Sequence, residues 1–82
     1  MDTKLALIGI VVEDTGSVTR INDILHEYGH LVIGRMGLPC RERGVHMISV
    51  VLDASGDQIS SLAGKLGMVS GVSVKTMVTK NG

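Results

Sequence analysis

The chain carries one pattern twice. Val11-Val12-Glu13-Asp14-Thr15-Gly16 returns 40 residues later as Val51-Leu52-Asp53-Ala54-Ser55-Gly56. In both copies an apolar run precedes the motif and an amphipathic stretch follows it. Each unit therefore orders a β-like run, a Gly-containing turn, a helix-period segment and a further apolar run, which is a β-α-β unit and not a layer of a solenoid. Two such units use up the 82 residues as one domain, residues 1–82, and the expected fold is an α+β sandwich of the form β-α-β-β-α-β.

Residues 4–12 are rich in Ile, Val and Leu on both alternation parities, the pattern of a strand covered on two faces, so this strand belongs in the middle of a sheet. Asp14-Thr15-Gly16-Ser17 brings turn and N-cap chemistry. Val18, Ile21, Leu25 and Tyr28 then recur at helical spacing with Ile24 beside them, and Gly29 is the expected helix stop. A second strand, residues 31–38, is thinned by Gly34 and Gly37 and followed by Pro39, which suits a sheet edge. After the polar turn Arg41-Glu42-Arg43-Gly44, residues 45–53 again read as a central strand, and Ile59, Leu62, Leu66 and Val69 form the stripe of a second helix. In the last strand Val72, Val74 and Val78 alternate with Ser73, Lys75 and Thr79, as at the opposite edge. Right-handed crossovers with both helices on one face give a four-stranded antiparallel sheet of order 4-1-3-2.

Composition excludes several functions. Eight Lys+Arg balance eight Asp+Glu, so the field that draws proteins to nucleic acid or to an anionic membrane is absent. With no Phe or Trp and one Tyr there is no base-stacking platform, and direct nucleic-acid binding is not expected. Cys40, the single cysteine, rules out an intrachain disulfide framework and points to a reducing, cytoplasmic setting. The first apolar run is too short to span a bilayer, so no membrane contact is expected. No serine or cysteine stands in a nucleophile–base pattern and no cofactor motif is present, so the chain reads as a non-enzymatic binding or regulatory module.

Whichever parity of the central strands meets the helices, the other remains apolar. Covering it at about 25 cal/mol per Å² favours association, and a homo-oligomer built through the sheet, a dimer or tetramer, is expected.

Candidate sites follow from residue chemistry. Free N–H groups in the turn Asp14, Thr15, Gly16 and Ser17 suit a small polar ligand, although Glu13 and Asp14 repel anions and capping alone also explains the turn. Arg35, Gly37, Pro39 and Arg41 mark the least core-like surface and form the candidate partner contact. His26, His30, Cys40 and His46 are the metal-capable residues, but no tight ligand cluster is visible; surface histidines and a partly buried thiol are the simpler account, with an intersubunit site using Cys40 and His46 as the alternative. Gly64-Lys65-Leu66-Gly67 lacks the spacing and the Ser or Thr of a phosphate loop; Gly64 is expected to allow close packing on the sheet and Gly67 to help end the helix.

The run Gly64-Lys65-Leu66-Gly67-Met68-Val69-Ser70-Gly71-Val72-Ser73-Val74-Lys75-Thr76, with Arg35-Met36-Gly37-Leu38-Pro39-Cys40-Arg41-Glu42 before it, resembles the small ACT-like proteins described as iron-only hydrogenase system regulators. The resemblance covers essentially the whole chain. It implies an ACT-like, ferredoxin-like fold, an oligomer, and a regulatory role tied to the iron-only hydrogenase system. Related ACT domains bind amino acids at subunit interfaces near the first strand–helix turn, here Asp14 to Ser17, which implies an amino-acid-like effector. Nickel-responsive regulators of similar effector fold use His and Cys ligands, but their His-x-His arrangement has no clear copy here; a nickel- or zinc-responsive domain and a structural adaptor are the alternatives. No helix-turn-helix or basic arm is present, so control of transcription would need a separate DNA-binding or hydrogenase-related protein partner.

Overall fold

Strict alternation of burial along the two Ile- and Val-rich runs sets the centre of the fold. The structure is a computed structural model describing residues 2–80. Its elements are β1 (Lys4–Val12), α1 (Val18–Glu27), β2 (Val32–Cys40), β3 (Val45–Ala54), α2 (Gly56–Gly67) and β4 (Val72–Val78). The four strands pair antiparallel in the order β2-β3-β1-β4, which is the expected order 4-1-3-2 read from the other edge. This is a ferredoxin-like α+β sandwich with both helices on one face. No helix is long and apolar enough to cross a membrane among the described residues.

One parity of the central strands supplies the core. Ala6, Ile8, Ile10 and Val12 of β1 and Ile48, Val50, Leu52 and Ala54 of β3 are buried against Ile21, Ile24 and Leu25 of α1 and Ile59, Leu62 and Leu66 of α2. Aliphatic side chains on two helical stripes thus fill the layer without a large aromatic ring.

α2 begins on a side-chain cap, and α1 follows a capped 3-10 turn. Ser55 Oγ accepts from the Gln58 N–H at 3.2 Å while Gln58 Oε1 accepts from the Ser55 N–H at 2.9 Å, a reciprocal capping box. Before α1, Asp14 Oδ1 accepts the Gly16 N–H at 3.0 Å and opens a 3-10 turn over Thr15–Ser17. Gly29 follows the C-cap Tyr28, at the helix stop expected of it, without a positive φ. The helix ends at Glu27, and a 3-10 turn at Gly29–Leu31 carries the chain into β2. β2 also runs past the expected boundary, through Pro39 to Cys40, because an edge strand tolerates a residue with no N–H to donate.

A second tie joins the helices. Tyr28 Oη lies 2.8 Å from Ser61 Oγ, and Lys65 Nζ sits 5.3 Å from the Tyr28 ring centre and 3.4 Å from Glu27 Oε2. Tyr28 first, and Glu27 second, raise the Lys65 pKa. With the folded pKa above the unfolded one, this tie is fully present below the unfolded value and fades as pH rises through the folded one.

The two glycines that matter most behave in opposite ways. Gly71 has φ +72°, and a Cβ there would lie 2.6 Å from Asp14 Cβ. The closeness is fixed by hydrogen bonds: the Glu13 N–H donates to the Gly71 carbonyl at 2.8 Å, and the Ser17 hydroxyl, on a buried side chain, donates to the Ser70 carbonyl at 2.8 Å. Gly64, by contrast, does not pack on the sheet as expected. Ile59, Leu62 and Leu66 turn inward and rotate Gly64 to solvent, where a Cβ meets no atom within 4 Å.

Gly71→Ala is therefore expected to destabilise the protein by about 1–3 kcal/mol, from backbone strain and the clash with Asp14. Gly64→Ala should stabilise it by about 1 kcal/mol through helix propensity. Urea unfolding midpoints of the two variants should move in opposite directions, and a Gly71→Ala midpoint equal to that of the parent would refute the packing described.

Candidate ligand cavity at the end of the sheet

Antiparallel order gathers the ends of three strands at one end of the sheet. The C-terminal end of β1 leads into Asp14–Ser17, the end of β2 into Arg41, and β3 starts beside both, because Val12 pairs with His46 and Pro39 pairs with His46 from the other side. Gly44, left-handed at φ 65°, closes the turn between β2 and β3. Between these segments lies a cavity of about 200 Å³ bordered by Thr15, Pro39, Cys40, Arg41, Val45 and His46. Thr15 and the stretch from Pro39 to His46, far apart in the sequence, thus share one small space.

Its chemistry is uneven. His46 lies on the helix-side parity of β3, and its Nδ1 is buried with no hydrogen-bond partner. A buried ring nitrogen left unpaired costs about 1–3 kcal/mol, so it marks a place where a polar atom belongs. Thr15 and Arg41 are exposed at the rim and supply a hydroxyl and a guanidinium. Cys40 is a free, partly buried thiol whose register partner is Val45, on the opposite parity from His46. No group of three or more His, Cys, Asp or Glu side chains able to hold a metal ion occurs among the described residues.

The first turn itself is largely occupied by its own chain. The Gly16 N–H is taken by Asp14 Oδ1, the Ser17 N–H by the Asp14 carbonyl at 2.9 Å, and the Ser17 hydroxyl by Ser70. Of the four expected ligand residues, Thr15 is the one that borders the cavity.

Arg35, Gly37 and Pro39 fall on the helix-side parity of β2, opposite Val50, Ile48 and His46. The Arg35 guanidinium donates to Asn22 Oδ1 on α1 at 2.8 Å, and Gly37 leaves open space beside it. Arg41 begins the following turn, so the four expected partner-contact residues run from the flank of α1 to the cavity rim.

The sheet's outer face holds a second feature, one that sequence reasoning does not single out. The rows across it are Leu38, Met47, Val11 and Ser73, then Met36, Ser49, Gly9 and Lys75, then Gly34, Val51, Leu7 and Met77. Met36 at 67 % and Leu38 at 59 % exposure are among its most exposed apolar residues. Gly9 and Ser49 leave the middle row low, producing a trough of about 360 Å³ walled by Val11, Met36, Leu38 and Met47. The repeat carries half of the signal and the strand register the other half. An offset of 40 residues and the β1–β3 register coincide at one pair, Gly9 with Ser49, so the pseudo-twofold relating the halves passes between them.

No curated protein matches the chain. A solved structure, that of the Thermotoga maritima protein TM1266, shares 39% sequence identity with it at a TM-score of 0.91, covering 96% of this chain and 100% of that one. The model of the TM1266-like family, described as "Iron-only hydrogenase system regulator, putative", matches residues 4–76. The match spans every strand but the end of β4 and both helices, and by it the chain belongs to the TM1266-like family.

Proposed function

We propose that the protein is a non-enzymatic, oligomeric regulatory module that senses a small amino-acid-like molecule in the cavity at the end of the sheet, in the service of the iron-only hydrogenase system. The family description supports the regulatory role. The observation that carries the ligand reading is the cavity border, which brings Thr15, Arg41 and His46 together, the last with a buried Nδ1 that has no partner among the described residues. A ligand carboxylate suits the Arg41 guanidinium, and a second polar atom of the same molecule suits the exposed Thr15 hydroxyl.

Oligomerisation follows from the outer face. Leu5, Leu7, Met36, Leu38, Met47, Val51 and Met77 all stand exposed on one side of the sheet, and stacking on a second copy removes them from water. A dimer or tetramer of this kind resides in the cytoplasm, and its effect on transcription passes through a separate DNA-binding or hydrogenase-related protein, since the chain has zero formal net charge.

Thermal unfolding with a panel of amino acids, and separately with nickel and zinc, tests the ligand reading. At about 100 times Kd a ligand adds about 2.7 kcal/mol, which for a domain this small raises Tm by 10 °C or more. Arg41→Ala should abolish the rise and leave the ligand-free Tm unchanged, because Arg41 is exposed. Stabilisation by metal alone would replace the amino-acid reading with a metal-responsive one centred on Cys40 and His46, and no stabilisation by either would leave a partner-binding adaptor.

Sedimentation at micromolar concentration should show a dimer or tetramer. Leu7→Glu, which sets a charge on the outer face away from the core, should dissociate it; a parent protein that sediments as a monomer would sink the oligomer.

A further inference from the structure

The trough on the outer face has a composition that a bare packing surface does not require. Its floor is Gly9 and Ser49, its walls are Val11, Met36, Leu38 and Met47, and at one end stands Lys75 with Ser73 beside it. The volume, about 360 Å³, falls within the range of small-molecule sites. Among the described residues Lys75 has no carboxylate within ion-pair distance, and the one ion pair is Lys65 with Glu27. The row through the floor therefore runs from a flexible thioether at Met36 to an unpaired ammonium at Lys75, apolar for most of its length and cationic at one end.

We propose that this trough binds an amphipathic carboxylate, its hydrocarbon chain lying over Gly9 and Ser49 and its head group paired with Lys75. Charge complementarity selects the head group. A neutral or cationic amphiphile leaves the ammonium unpaired beside an apolar chain, whereas a carboxylate gives it a charge-assisted hydrogen bond, with the Ser73 hydroxyl as a second donor. Met36 and Met47 supply unbranched, polarizable walls that adjust to a flexible chain. The walls Met36, Leu38 and Met47 also belong to the face that a second copy would cover, so a ligand and the partner's side chains compete for the trough, and titration with octanoate beside sedimentation separates the two.

Two substitutions separate the contributions. Lys75→Met keeps the apolar length and removes the cation. Gly9→Val fills the floor, and strand geometry permits it, since a Cβ at Gly9 meets nothing nearer than the Lys75 carbonyl at 3.9 Å.

Isothermal titration of the full chain with octanoate, and with octylamine as the cationic counterpart, tests the assignment. Octanoate should bind and octylamine should not. Lys75→Met should weaken octanoate roughly tenfold or more, the loss of one charge-assisted hydrogen bond. Gly9→Val should abolish binding with an unchanged circular dichroism spectrum; should that variant fail to fold, the Lys75→Met titration and the octylamine contrast decide alone. Equal octanoate affinity in parent and Lys75→Met, or equal binding of the amine, overturns the proposal. So does failure of the parent to bind octanoate. If that parent still sediments as an oligomer, side chains of the second copy fill the trough and the oligomer reading survives; octanoate binding by a monomer gives the reverse result.

Discussion

Everything in this molecule hangs on the pairing of β1 with β3. Nine consecutive residues of β1 are in register with β3, and four buried aliphatic or alanine side chains from each strand point to the helices. Because a strand alternates with period 2, fixing that parity fixes the other. Leu5, Leu7, Val11, Met47 and Val51 are thereby committed to the outer face, apolar and uncovered by the chain's own helices. A single register thus creates both the core and the exposed apolar face.

The same pairing places the functional candidates. β3 is held between β1 and β2, so His46 has Val12 on one side and Pro39 on the other, and the turns leaving those two strands converge around it. Nearness in space arises here from three strand ends and not from a local motif. The pseudo-twofold between Gly9 and Ser49 does the corresponding work at the middle of the sheet, where two small residues face each other and the outer surface sinks.

Much of the architecture was legible because repetition and alternation are properties of the sequence itself. Central strands showed apolar residues on both parities, Pro39 and the glycines around it marked an edge, and the helical stripes named the buried residues of α1 and α2 correctly. Gly64 misled, since a glycine in a helix reads as a packing device until the rotation of the helix is known, and here the Ile59–Leu62–Leu66 stripe turns it outward. Gly29 did mark the end of α1, where a 3-10 turn takes the chain on into β2. The unpaired nitrogen of His46 and the trough beside Lys75 were hidden for a different reason: each depends on register between segments far apart in the chain. Thr15 could be suspected from its turn, but its neighbours at the rim could not be named from spacing.

The bond from Glu13 to Gly71, with Ser17 against Ser70, joins the first turn of the chain to the last. Such a contact spans most of the polypeptide and closes a very long loop, so it forms late in folding by any route that builds local structure first. During synthesis the first β-α-β half would emerge with its turn unanchored, and the wall that Thr15 contributes to the cavity would be set only when the entry to β4 leaves the ribosome. The shape of the cavity at that end of the sheet is in this sense a certificate of completion: a chain cut short before Gly71 would retain every residue that borders the cavity and still lack the clamp beside Thr15.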